Sequence, residues 1–166
     1  MKRVIVAYAS KCGSTAEVAQ SIGTVLAERG WSVDVMAVQK VKNLSGYQAA
    51  VLGTALRMGK PVGEFNRFVA KFKAQLNQLP LAVFSLGLAM RTDTPENRAM
   101  TLGFLQPVLE QLPAGIPVAP FGGKLDYQTL SPFYRWAFKQ DKSGEMAPGD
   151  WRDWHAIQGW AAALAL

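Results

Sequence analysis

The chain reads as an open α/β fold, a three-layer sandwich around a five-stranded parallel sheet in the order 2-1-3-4-5. Three observations predict it. Short apolar runs alternate with segments whose apolar residues recur at helical spacing. The first run, Val4-Ile5-Val6-Ala7-Tyr8, passes through Ser10-Lys11-Cys12-Gly13-Ser14-Thr15 straight into a helical pattern. Such a strand–turn–helix junction is where open α/β sheets hold anions. Finally, the second run is interrupted by Asp34, and the fifth contains Pro117 and Pro120. Proline cannot donate to a ladder, so both strands belong at sheet edges. With those edges the order 2-1-3-4-5 follows, and its ligand site lies at the switch between strands 1 and 3. The rival order, 3-2-1-4-5-6, needs a sixth strand that the chain does not supply.

Each element has its own signal. The first helix uses Val18, Ile22, Val25 and Leu26 and stops at Arg29-Gly30. Ser32 to Val38 is the second strand, and Gln39 to Gln48 is a loop or one irregular turn. Ala49-Ala50-Val51-Leu52 is the third strand, ending at Gly53-Thr54, and Ala55 to Pro61 is a connection at its C-terminal end. The second helix reads from Phe65, Phe68, Val69, Phe72 and Leu76, and Pro80 stops it. Leu81 to Leu86 is apolar on both faces and therefore central. Gly87 to Asn97 is a loop. Leu102, Leu105, Leu109 and Leu112 mark the third helix, with a kink or break expected at Pro107. Ile116 to Phe121 is the fifth strand. Gly122 to Asp150 is long for a plain connection, so an insert of about residues 125–150 is expected after strand 5. It holds a short helix, Pro132 to Lys139, bearing Tyr134, Arg135, Trp136 and Phe138, and a polar stretch, Asp141 to Gly149. The last helix starts near Trp151 and buries Trp154, Ile157, Ala161 and Leu164. Residues 1–166 are expected to form one domain.

Composition narrows the function. The formal charge is +6, which favours acidic partners. The basic residues are scattered and no nucleic-acid-binding motif is present, so nucleic acid is not an expected partner. Cys12 is the single cysteine, which excludes an internal disulfide and fits a reducing, cytoplasmic setting. Lys2-Arg3 before Val4 to Ala7 is too short for a signal peptide, and Trp160 to Leu166 is far too short for a membrane span. No cluster of His, Cys and carboxylates has metal-ligand spacing. The lone histidine, His155, falls on the solvent face of the last helix and is not expected to be catalytic.

The turn after the first strand selects among phosphates. It lacks the lysine of a Walker A loop and the three glycines of the dinucleotide fingerprint. A short hydroxyl-rich turn suits a single phosphate monoester, such as that of FMN. Ser10, Ser14 and Thr15 offer hydroxyls, Gly13 lets the backbone bend, and Lys11 and Cys12 complete the turn. Ser14 and Glu17 also spell a capping box, which any helix uses. In this strand order two more loops reach the same end of the sheet. Thr54, Ala55, Leu56, Arg57, Met58 and Gly59 form one, and Ser85, Leu86, Gly87 and Leu88 lead the other. Both would flank a flavin ring through backbone groups, with Leu56, Met58 and Leu88 as apolar walls. Ordinary packing also accounts for Leu56 and Met58. No acid–base constellation is present, so the flavin carries the chemistry and no protein residue is assigned as catalytic.

These residues resemble those of flavodoxin-like proteins, and more closely the bacterial menaquinone-dependent protoporphyrinogen IX dehydrogenases. The resemblance rests on Tyr8 to Thr15, on Val51 to Gly59 with its Gly-x-x-x-Arg-x-Gly spacing, and on Glu64-Phe65-Asn66-Arg67-Phe68-Val69. It returns at Phe84-Ser85-Leu86, at Gly122-Gly123-Lys124-Leu125-Asp126-Tyr127, in the aromatic-basic insert and at Asp153-Trp154. It implies a flavodoxin-like sandwich, FMN as cofactor, a porphyrinogen-like acidic donor and a quinone acceptor. It also implies that the insert faces substrate, quinone or a membrane surface, which would place the protein at the inner face of the cell membrane. Arg57, Lys60, Tyr127 and Arg135 are then expected on the substrate or quinone side, and Arg57, Lys60, Arg91 and Arg98 near the ligand end would attract acids. A surface charge in solvent is the better account of Arg91 and Arg98. The alternatives are a basic flavodoxin-like electron carrier and an FMN-dependent quinone reductase.

Overall fold

The computed structural model describes residues 1–144 and 146–166. Glu145, inside the expected polar stretch of the insert, lies outside the described residues. The chain runs β1 (Arg3–Ala9), α1 (Ser14–Glu28), β2 (Ser32–Ala37), β3 (Ala49–Arg57), β4 (Lys60–Pro61), α2 (Gly63–Leu76), β5 (Leu81–Gly87), α3 (Pro95–Leu109), β6 (Val118–Gly122), β7 (Lys124–Leu125), α4 (Pro132–Lys139), β8 (Gly149–Asp150) and α5 (Trp154–Ala163). Turns of 3₁₀ helix occupy Val38–Lys40, Leu88–Met90 and Tyr127–Thr129.

Alternation along the strands builds the three layers. In β1, Ile5, Ala7 and Ala9 point to one face, where Phe65, Val69, Phe72 and Leu76 of α2 and Leu105 and Val108 of α3 cover them. Val4 and Val6 point to the other, against Val18, Ile22 and Leu26 of α1 and Ile157 and Ala161 of α5. Each large apolar side chain fully buried this way contributes about 1.5–3 kcal/mol. The parallel strands lie in the order β2-β1-β3-β5-β6, which is the expected 2-1-3-4-5 order of the long strands. Every residue of β5 is buried, as a central strand requires. At one edge, Asp34 of β2 accepts hydrogen bonds from Arg3 Nη2 and Tyr47 Oη, both at 2.7 Å. At the other, Pro120 sits in β6, which pairs with β5 alone.

Several elements depart from expectation. The connection after the third strand is a hairpin. β3 runs on to Arg57 and folds back on β4, pairing Leu56 with Pro61 and Arg57 with Lys60. The two turn residues, Met58 at φ 51° and Gly59 at φ 74°, have the positive φ that a two-residue hairpin turn demands. Helix α3 starts at Pro95, earlier than expected, because Thr94 accepts from the Asn97 N–H at 3.1 Å and proline suits the first helical position. It continues through Pro107 without a break, since the proline falls in its last turn, where little helix remains. The final helix starts at Trp154, where Asp153 accepts from Ala156 N–H at 3.0 Å. The insert is rooted on a short antiparallel ribbon, β7 with β8, that periodicity did not reveal.

In the centre of the sheet, Gly53 lies in register between Tyr8 and Phe84, and a Cβ on it would collide with the Phe84 ring. Replacing Gly53 by alanine should therefore lower stability by about 1–3 kcal/mol. Gly103, in α3, has open space where a Cβ would go. Gly103→Ala should raise stability by about 0.5–1 kcal/mol. Chemical denaturation of the two variants checks both signs.

Candidate functional site

The site begins where β1 hands over to α1. Gly13 caps the helix in the left-handed conformation, φ 84°, and its N–H donates to Ser10 Oγ at 2.9 Å. No side chain among the described residues caps α1, so the capping box of Ser14 and Glu17 does not form. The helix takes Gly13 as its N-cap, so Ser14 lies inside the first turn and Glu17 falls one position past the place a box requires; Glu17 Oε2 pairs with Arg152 Nη1 at 2.8 Å. The first-turn N–H groups are left available to an anion. Beside them, Thr15 Oγ1 is fully buried and has no hydrogen-bond partner among the described residues. An unsatisfied buried hydroxyl costs about 1–3 kcal/mol. A phosphate oxygen at this corner would satisfy it, so the residues present fit a phosphate monoester.

From this corner a largely apolar cleft runs along the C-terminal ends of the strands. Ser10, Lys11, Cys12 and Ser14 line its start. Ala55, Leu56, Arg57, Met58 and Gly59 of the β3–β4 hairpin form one wall, and Leu86, Gly87, Leu88 and Ala89 form another. The three loops expected to converge do so. Gly13, Thr15, Thr54 and Ser85 stand behind this lining. Thr54 and Ser85 are fully buried; Thr54 Oγ1 donates to the Ala55 carbonyl at 2.8 Å, and Ser85 Oγ, like Thr15 Oγ1, has no partner among the described residues. Met58 is 91% exposed at the hairpin tip and touches the cleft from its rim.

The far end of the cleft is built by the insert. Gly123, Lys124, Leu125, Asp126, Leu130, Tyr134, Phe138 and Met146 line it, with Phe104 of α3 opposite. Tyr134 and Phe138 are four residues apart and so share one face of α4. That spacing was legible, but nothing in the sequence said which face turned inward. Phe133 and Trp136 lie away from the cleft, 68% and 63% exposed. Phe104 carried no signal distinguishing it from an ordinary core residue.

Of the four residues expected on the substrate side, Arg57 lines the cleft, while Lys60, Tyr127 and Arg135 lie outside its lining. Arg135 holds the insert together. Its Nε donates to the Tyr127 carbonyl at 2.7 Å and its Nη2 to the Leu130 carbonyl at 3.3 Å. The Tyr127 hydroxyl donates to the Met146 carbonyl and closes the insert on itself. Arg57 bridges two walls: its Nη2 lies 2.7 Å from Cys12 Sγ, and its guanidinium stands 5.6 Å from the centre of the Tyr134 ring. Lys11 Nζ pairs with Glu64 at 2.5 Å, and that hydrogen bond above all holds the Glu64 carboxyl below the usual carboxylate range. Arg98 is paired with Asp93 at 2.5 Å, and Arg91 lies 5.6 Å from the centre of the Trp151 ring. Asp126, the one carboxylate in the described lining, accepts from the Gln128 N–H at 2.9 Å. The cleft is therefore cationic and apolar, without a pair of carboxylates among the described residues to shuttle protons.

A family model described as flavodoxin domain matches residues 5–149. The chain is 28% identical over 108 residues to the protoporphyrinogen IX dehydrogenase [quinone] of Escherichia coli strain K12, and the match covers 62% of this chain and 60% of that protein's length. Among solved structures it is similar to a flavodoxin from the domain Archaea, with TM-score 0.59 and 15% identity over 96% of this chain and 94% of that one. It is also similar to Flavodoxin 1 from Bacillus cereus, with TM-score 0.60 and 18% identity over 97% and 95%. These structures share its fold. No helix among the described residues is long and apolar enough to cross a membrane.

The root of the insert is held by charge. Asp150 accepts from Arg152 Nε and Nη2, and these bonds first of all hold its carboxyl below the ordinary value of 3.8. A depressed carboxylate contributes stability above its unfolded pKa and loses it as pH falls through the folded one. Asp150→Asn should thus lower the melting temperature at pH 7. The gap to the parent protein should close as both are titrated below about pH 4. Melting curves across that range check it.

Proposed function

The chain belongs to the flavodoxin domain family, and we propose that it is an FMN-dependent oxidoreductase passing electrons from a porphyrinogen-type donor through the flavin to a quinone. One observation carries this reading beyond electron carriage: the cleft continues past the three loops and ends under the aromatic face of the insert. A carrier that docks other proteins needs its flavin edge open, whereas a covered apolar extension suits a small planar substrate. The name of the Escherichia coli relative pairs protoporphyrinogen IX with a quinone, which supports the same chemistry here.

In this reading the phosphate rests on the first-turn N–H groups of α1, with the hydroxyls of Ser10, Ser14 and Thr15 donating to it. The Ala55–Gly59 wall and the Leu86–Leu88 wall hold the ring system between them. When bound, FMN supplies reversible electron transfer, which no side chain in the cleft can supply. The chain's residues do the rest. Leu56, Leu88 and Phe104 exclude water, and Tyr134 and Phe138 offer ring faces to a planar ligand. Arg57 and Lys124 at the lining, and Lys60 just outside it, draw carboxylates such as the propionates of a porphyrinogen. Tyr127 and Arg135 act at one remove, by fixing the insert that carries the aromatic face. Residues 1–166 work as one domain, with the insert near 125–150 as part of the site.

The purified protein should show a flavin absorption spectrum. With reduced porphyrinogen and a quinone it should generate porphyrin fluorescence. Thr15→Val should weaken FMN binding about tenfold and leave riboflavin binding nearly unchanged, since only FMN has a phosphate to lose the hydroxyl. Tyr134→Ala with Phe138→Ala should lower kcat/KM for the porphyrinogen about tenfold or more at nearly constant FMN affinity. Flavin that is reduced by other donors while no porphyrin forms would remove the substrate and leave the cofactor.

A further inference from the structure

Helix α1 carries an acid, Glu17, in its first turn. A carboxylate there stabilises a helix by itself, but it opposes any phosphate that docks on the same turn. The chain answers it from 135 residues away. Arg152 lies in the link between β8 and α5, and its side chain is only 4% exposed. Its Nη1 donates to Glu17 Oε2 at 2.8 Å and to the Ser14 carbonyl at 3.3 Å. Its Nε and Nη2 donate to Asp150 at 2.9 and 2.7 Å. The guanidinium lies 4.8 Å from the centre of the Trp154 ring. Ser14 lines the cleft, and its neighbour Thr15 bears the unsatisfied hydroxyl. A buried cation thus sits at the base of the anion corner, gripped from two sides. Only a planar fork of donors can serve both carboxylates and a carbonyl at once.

We propose that Arg152 is the positioning residue of the phosphate corner: it offsets the charge of Glu17, fixes the first turn of α1, and ties that turn to the root of the insert through Asp150. The proposal rests on the FMN reading given above. Without Arg152, the Glu17 carboxylate would face the incoming phosphate uncompensated. With Glu17 neutral, Arg152 stays balanced by Asp150 and the first turn loses the one carboxylate that opposes a phosphate.

The test is titration of the flavin-depleted full-length chain with FMN and with riboflavin, which lacks the phosphate. Arg152→Ala should weaken FMN on the order of tenfold and riboflavin far less. Glu17→Gln alone should tighten FMN a few-fold, an effect that fades as salt is raised. Combined with Arg152→Ala, it should recover most of the loss. Arg152→Lys should recover only part of it, because lysine cannot hold Glu17, Asp150 and Ser14 together. Equal losses for FMN and riboflavin, or no recovery by Glu17→Gln, would reduce Arg152 to a structural residue and overturn the proposal. Glu17 is exposed, so Glu17→Gln folds even if Arg152→Ala does not; unchanged FMN affinity in that variant also overturns it. A parent chain that binds neither flavin would fail at the cofactor, and the proposal would go with it.

Discussion

Helix α1 begins without a side-chain cap from any described residue, and the rest of the site is arranged around that unfilled start. Helices ordinarily satisfy their first N–H groups with a nearby side chain. Here the turn bends back through Gly13, which takes the cap position itself, Ser10 takes the Gly13 N–H, and Glu17 pairs with Arg152. The buried Thr15 hydroxyl is left with the same need as the backbone beside it. Donors held ready without protein acceptors are what an anion site requires, because no internal hydrogen bond has to break when the ligand arrives.

The sheet determines what else can reach that corner. Both of its faces are sealed by helices, so side chains from the strands are committed to packing and only their C-terminal ends remain free. The β3–β4 hairpin and the loop after β5 therefore meet the ligand end with backbone and small apolar groups. The insert adds what the sheet cannot, a face of aromatic rings. It is held by contacts of its own: Arg135 on the turn before α4, Tyr127 on Met146, and Arg152 on Asp150. Arg57 joins the two systems, reaching Cys12 in the first loop and Tyr134 in the insert helix. An anion corner and an aromatic compartment are thus built by different parts of the chain and share one cleft.

Much of this was legible along the chain. Alternating apolar runs gave the strands, Asp34 and the prolines of the fifth strand gave the edges, and the edges gave the order. The three ligand-end loops followed from that order. What periodicity missed was short or long-range. The β7–β8 ribbon has two residues on each side, too few for a pattern. The hairpin at Met58-Gly59 lacks the usual Asn-Gly or Asp-Gly turn. Arg135, which the resemblance put on the substrate side, lies outside the cleft lining and is held by the carbonyls of Tyr127 and Leu130, partners that spacing along the chain does not reveal.

The sequence by itself determined the layers, the strand order and the place of the turn that opens the cleft, because these depend on local propensity and on which residues tolerate a sheet edge. Only the tertiary structure decided how the charges pair and which ring faces turn inward. Gly13 rather than Ser14 takes the cap position, and Glu17 pairs with Arg152, far along the chain. Tyr134 and Phe138 face the cleft, and Phe133 and Trp136 do not, because contacts at both ends of the insert set its orientation. Such pairings depend on where distant segments meet in space, and spacing along a chain does not encode that meeting.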